Sequence, residues 1–459
     1  MSTTNGERTV YAAYWVLPVT APVIANGAVV VEGERMVFVG PRAELPARFQ
    51  SDPCVDLGDA VLMPGLVNAH THLEITALRG FLEGLAFPDW LAVLTQARRE
   101  CFDPDSLLDS SCAGIAEGLR NGITTYADTT ESGAPLHAMH AMGVRGVGYL
   151  EVFGPDPSQR DGAMDTLLAR AGEHRARDTS LVRTGLSPHA PYTVSASLYR
   201  AVADVARLEA WPVAAHIAES VAETAFVRDG TGPFADRLGA RGIRVSPQAR
   251  SPIALLDACG LLDCRPLLIH AIQIDTDDIA RIAGHGATVV HCPVSNLKLG
   301  HGLAPVRELC SAGVSLGLGT DSVASNDRMD LLGEARLAAL LAATRAGVPD
   351  ALSAHDALAL ATIGGARALG LGDQIGSLEV GKRADLAAFA LTHVDAHPVH
   401  DPAVTLIHVL AGVVRAEVVV VAGSVRVRGG ELTAGDAGRE HRMAALGARL
   451  RAWRSLRIR

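Results

Sequence analysis

Between residues 61 and 370 the chain alternates short runs rich in Val, Ile and Leu with longer Ala/Leu/Arg stretches of helical period. The apolar runs are VLMPGLVNAHTH (61–72), GITTYADTT (122–130), RGVGYLEVFG (145–154), LVRTGLSPHA (181–190), WPVAAHIAE (211–219), RPLLIHAIQ (265–273), ATVVHCPVSN (287–296) and VSLGLGTDS (314–322). Their apolar character is continuous, and strands without polar alternation are covered on both faces, as in parallel βα units. Eight such units predict a closed (β/α)8 TIM barrel of the α/β class. The flanks read differently. Residues 9–60 and 375–435 hold strand-like pieces with turn signals, such as NGAVVVEGERMVFVG and AEVVVVAGSVRVRGGEL, which predict a small β-sandwich domain built from both chain ends. The expected division is 1–61 and 373–459 for the two parts of that domain, the second ending in a helix, and 62–372 for the barrel, with Pro64 and Gly65 marking the crossing into it.

At 459 residues, 48% hydrophobic and 20% charged, the chain can bury cores of this size. A formal charge of −9 with dispersed Lys and Arg offers no footprint for nucleic acid. The basic end RLRAWRSLRIR reads as the solvated end of a helix, with a phosphate-binding tail as the alternative. No run approaches the roughly 18 apolar residues of a membrane span, and the start carries no basic segment leading into an apolar stretch. A cytoplasmic location without membrane contact is expected. The seven cysteines are scattered, with no C-x-x-C pair, and read as reduced, mostly buried thiols.

Catalytic side chains of such barrels come from the C-terminal ends of the strands. Those ends hold His70 and His72 on the first strand, His189 on the fourth, His216 with Glu219 on the fifth, His270 on the sixth and Asp321 on the eighth. Residues two apart on a strand share a side, so His70 and His72 can chelate one ion. His70, His72, His216 and Asp321 make a shell of three imidazoles and a carboxylate that suits Zn²⁺ or Fe²⁺ with a position left for water. Such a centre activates water, and hydrolysis is the expected reaction class. His137, His140, His174, His285, His355, His393, His397 and His400 fall in helices or loops and read as solvent-facing. His291 ends the seventh strand, either as pocket wall or as support behind the ligands.

The segments PGLVNAHTH, AAHIAES, LIHAIQ, HCPVSNLKLGHGLAPV, LGTDSVASN and GSLEVGKRADL, in that order along nearly the whole chain, resemble the amidohydrolase superfamily, in its mononuclear branch of aromatic-amine deaminases and chlorohydrolases. The resemblance implies one divalent metal, zinc before iron, on His70, His72, His216 and Asp321. It implies that Glu219 shuttles a proton to a substrate ring nitrogen, that His270 bonds the attacking hydroxide, that Asp321 takes its proton, and that His189 touches substrate. The lysine that binuclear members carry on the fourth strand is absent, which favours a single metal. Homodimers are common in the family and are expected here.

For the substrate, AHIAESVAETAFVRDGTGPF and GYLEVFGPDP resemble the aminodeoxyfutalosine deaminases of the futalosine route to menaquinone. That resemblance implies an adenine nucleoside bearing a benzoate, with Arg79 and Arg160 as candidate anion anchors. S-adenosylhomocysteine or methylthioadenosine is the alternative substrate, through SPHAPY and SNLKLGHGLAPV. Guanine deaminase, triazine chlorohydrolase and a non-catalytic assembly protein stand further off. Substrate contacts are expected from His189, Glu74, Arg79, Trp90, Glu151 and Ser322. Phe87 and Trp90 read equally as lid residues or as packing of a loop helix, and Glu74 either faces substrate or holds its loop.

Overall fold

The structure is a computed structural model that describes residues 8–457. The eight expected runs form eight parallel strands. Leu66–Thr71, Ile123–Thr130, Arg145–Val152 and Val182–Pro188 pair in order in one sheet, and Ala214–Ile217, Leu267–His270, Thr288–His291 and Ser315–Leu318 in another. Parallel bridges from Leu186 to Val213 and from Thr71 to Asp321 join the two sheets at both seams and close the barrel. The second, third and fourth barrel strands are buried along nearly their full lengths, which is why the sequence shows no polar alternation there. Inside, Val67, Ala69, Tyr149, Ile269 and Val290 pack with Ile363, Ala366 and Ile375, so the segment after the last strand plugs one end of the barrel.

The first apolar run is two strands, not one. Ala60–Pro64 belongs to the outer sheet and Leu66–Thr71 to the barrel. Between them, Gly65 passes so close to the second barrel strand that a Cβ would stand 2.2 Å from Thr124 side-chain atoms. Only glycine fits that crossing.

The outer sheet has nine strands from both chain ends. Ala60–Pro64 is where the halves meet, running parallel to Arg8–Val16 and antiparallel to Leu386–Ala390. A fully buried ion pair ties this sheet to the barrel. Arg145, at the start of the third barrel strand, donates from Nε to Asp385 Oδ2 at 2.7 Å and from Nη2 to Oδ1 at 3.1 Å. The basic C-terminal stretch belongs to the helix Arg439–Arg457, which buries Trp453 and sets Arg442 on Asp109, Arg449 near Asp103 and Arg457 on Glu100. Three of its six arginines are thus paired with carboxylates elsewhere in the molecule. No helix among the described residues is long and apolar enough to cross a membrane.

Candidate active site

At the C-terminal ends of the barrel strands three imidazoles and one carboxylate converge. Asp321 Oδ1 lies 3.2 Å from His70 Nε2 and 3.6 Å from His72 Nε2, and His72 Nε2 lies 3.2 Å from His216 Nε2. The backbone arranges this directly: Asp321 N–H donates to His70 O at 3.0 Å across the closing seam, with Asp321 itself at φ +56°. The Asp321 Oδ2 atom is engaged by the Ser295 and Ser325 hydroxyls at 2.5 and 3.0 Å, which leaves Oδ1 for the imidazoles. His216 Nδ1 donates to His189 O at 3.3 Å, which leaves Nε2 as a lone pair.

Burial drives the His70 pKa down to about 4 against the opposing pull of Asp321, and drives that of His216 well below its usual value. Burial pushes the Asp321 carboxyl up, yet the His70 imidazole 3.2 Å away and the other imidazoles around it hold it well below the usual carboxylate range. The cluster is therefore neutral imidazoles around an ionised carboxylate. His70 Nε2 has no hydrogen-bond partner. Lone pairs meeting at such distances repel unless a cation lies among them, and this donor set fits one divalent transition metal.

Glu219 stands beside this cluster. Its Oε1 lies 3.5 Å from His270 Nε2 and 3.3 Å from His301 Nε2. Burial raises its pKa, but His270 and His301 outweigh that and keep it lowered. His270, at φ +76°, has its Nδ1 2.9 Å from Asn296 Oδ1, so Nε2 is the atom turned toward Glu219. Glu223 accepts from the Ala218 and Glu219 amides at 2.7 and 2.9 Å and pins the turn that carries Glu219.

A cavity of about 890 Å³ opens over these groups, lined by His72, His216, Glu219, His270 and Asp321 and by His189, Glu151, Glu74, Trp90 and Ser322. Phe87, Trp90, Phe153, Tyr192 and Phe234 give it an aromatic wall. Its size and mixed lining are those of a small-molecule site. Trp90 and Phe87 do both jobs left open by the sequence: they lie on the loop helix Phe87–Cys101, mostly buried, and they face the cavity.

Three expected substrate contacts are placed otherwise. Arg79 is held by Glu117 and the Asp327 carbonyl, away from the cavity lining. Arg160 sits exposed at a helix start, paired with Asp161. Glu74 reaches the cavity wall, but both its oxygens are taken: Arg98 donates to Oε1 at 2.8 Å, Thr130 to Oε2 at 2.7 Å, and Ser132 and the Glu131 amide complete the set. Its geometry is that of a loop anchor. His291 is buried and outside the lining.

His301 was not among the residues the sequence singled out, because it follows a helix rather than a strand. The available signal was its bracketing by Gly300 and Gly302, both at positive φ (+73° and +100°), a backbone conformation that favours glycine.

The sequence signature of the amidohydrolase family matches residues 61–429. This chain belongs to the amidohydrolase family. A 5-methylthioadenosine/S-adenosylhomocysteine deaminase of Moorella thermoacetica is 34% identical over 424 residues, covering 92% of this chain and 94% of that protein. The crystal structure of an adenosine deaminase from Xanthomonas campestris with bound zinc superposes with a TM-score of 0.86 at 35% identity, covering 97% of this chain and 98% of that one. An aminofutalosine deaminase from Helicobacter pylori, in complex with methylthio-coformycin, superposes at 0.76 with 22% identity, covering 91% and 99%. As an amidohydrolase with deaminase relatives, the chain is a metal-dependent hydrolase acting on C–N bonds.

Proposed function

We propose that this amidohydrolase deaminates an adenine nucleoside at its 6-amino group, with 5′-methylthioadenosine or S-adenosylhomocysteine as substrate. The observation that carries the reading is a near full-length 34% identity to the Moorella deaminase in a chain whose Glu219 stands next to a four-donor metal cluster in an aromatic-walled cavity. The benzoate-bearing substrate implied by the sequence resemblance gives way to this alternative. At 22% identity the Helicobacter protein speaks only for the fold; the expected anchors Arg79 and Arg160 lie outside the cavity lining, whose arginines are Arg98, Arg99, Arg237 and Arg241.

His70, His72, His216 and Asp321 would hold the metal, zinc in our reading. Bound there, a divalent cation supplies the Lewis acidity that makes water nucleophilic at neutral pH. Asp321 Oδ1 accepts a proton from the attacking water, and His270 Nε2 orients it toward carbon 6 of the purine. Glu219 Oε1, ionised at the outset, takes one proton of the water and hands it to the neighbouring ring nitrogen as the C–O bond forms; the other, accepted by Asp321 Oδ1, passes to the amino group as the C–N bond breaks. Water and the amine are consumed and ammonia leaves, so a 6-oxopurine is the product.

The test is loss of absorbance near the adenine maximum on metal-loaded protein, across methylthioadenosine, S-adenosylhomocysteine, adenosine, aminodeoxyfutalosine, guanine and a triazine. Turnover led by the first two supports the reading; turnover of none of the adenine nucleosides overturns it. Metal analysis of protein prepared without added metal separates zinc from iron.

A further inference from the structure

The cavity contains one buried carboxyl that nothing satisfies. Glu151, near the end of the third barrel strand, is 7% exposed and lines the cavity, yet its Oε1 has no hydrogen-bond partner. The other buried carboxyls lining the cavity have close polar neighbours: Glu74 accepts from Arg98, Thr130 and Ser132, Asp321 from Ser295 and Ser325, and Glu219 Oε1 faces the His270 and His301 imidazoles at 3.5 and 3.3 Å. The nearest basic group to Glu151 Oε1 is His189 Nε2 at 3.9 Å, beyond hydrogen-bond reach. His189 is itself committed through Nδ1 to the Thr193 hydroxyl at 2.8 Å.

A buried, unpartnered carboxyl in a cavity wall is a costly arrangement unless a ligand completes it. Glu151 lies two strands around the barrel from Glu219, with His189 on the strand between them. A ligand whose reacting edge meets Glu219 therefore reaches Glu151 with the part next to its ring. We infer that Glu151 is the specificity-determining residue that hydrogen-bonds a ribose hydroxyl of the substrate, an inference that rests on the adenine nucleoside reading above. The chemistry of the side chain agrees. Burial, reinforced by Glu74 and opposed by Arg98, pushes its pKa up to about 8. A neutral carboxyl both donates and accepts, which matches a hydroxyl and does not match a cation.

The experiment measures kcat/KM of the metal-loaded enzyme for 5′-methylthioadenosine and its 2′-deoxy and 3′-deoxy analogues, in wild type, Glu151→Ala and Glu151→Gln. The wild type is expected to disfavour one deoxy analogue by about 10–100-fold. Glu151→Ala is expected to lose a similar factor on the ribonucleoside and none further on that analogue. Glu151→Gln, which keeps a donor and an acceptor, is expected to retain most of the discrimination. Equal loss by Glu151→Ala on all three substrates, or a wild type indifferent to both hydroxyls, overturns the inference and leaves the deaminase reading standing. Loss of metal by Glu151→Ala also overturns it, because Glu151, His189 and His216 have ligand atoms within 4.8 Å of one another and would then form part of a cation site. Turnover of none of the three nucleosides by wild type overturns the deaminase reading and the inference with it.

Discussion

Glu219 Oε1 lies between two imidazoles, and the two differ in how they were reached. His270 ends a strand and was legible from the sequence; His301 arrives from a loop and was not. Glu219→Gln keeps the size of the side chain but cannot cycle a proton, so it should retain metal and lose about 10²–10⁴-fold in kcat. Metal content and steady-state rates on the same preparation check both halves of that statement, and loss of metal would make Glu219 a ligand. His301 touches Glu219 and packs edge-on against Phe87, with ring centroids 4.5 Å apart. As a positioning residue, its replacement in His301→Ala should lower kcat by about 10–100-fold with little change in KM or metal content. A variant that instead raises KM alone would make His301 part of the cavity wall only. At this scale the sequence disclosed residue types at strand ends, but not hydrogen-bond saturation. Glu74 and Glu151 look alike as letters, and only the partners brought by Arg98, Thr130 and Ser132 distinguish the anchored carboxyl from the free one.

At the scale of elements, the strand ends that carry the site turn through the left-handed region. Ala218, His270 and Asp321 have φ of +51°, +76° and +56°. Non-glycine residues seldom adopt such angles, and here they aim side chains that a regular strand would send elsewhere. Gly319, two residues before Asp321, allows the eighth strand to press on the first: a Cβ there would stand 2.9 Å from His70 N and Cβ and from Val290 Cγ1. Gly319→Ala should therefore displace His70 and weaken metal retention by about 10-fold or more, read as the chelator concentration needed to strip the metal, with circular dichroism showing the fold intact. The strands themselves were readable because burial on both faces leaves an uninterrupted apolar run. Pro64 and Gly65 were readable as the crossing from the outer sheet into the barrel, but the letters did not show the approach to Thr124 that requires glycine there.

For the whole molecule, a buried contact that couples the outer sheet to the barrel is the Arg145–Asp385 pair, 240 residues apart in sequence. Asp385 Oδ1 also accepts from the Ala422 amide at 2.8 Å, so the carboxylate is held from both sides. Arg145→Met would leave that charge buried without its partner, at a cost of about 3–5 kcal/mol. Urea denaturation should show that loss, while kcat of the folded, metal-loaded variant stays near wild type because the pair lies outside the cavity lining. What the sequence determined by itself was the barrel, through local periodicity, and the side chains that gather at its mouth, through the residue types ending each run; both are properties of short segments. The tertiary structure alone decided that Arg79 and Arg160 lie off the cavity, that His301 reaches Glu219, and that Glu151 rather than Glu74 is left without a partner. Those outcomes depend on which distant loops fill each polar atom's hydrogen-bonding capacity, and no local pattern of residues encodes that.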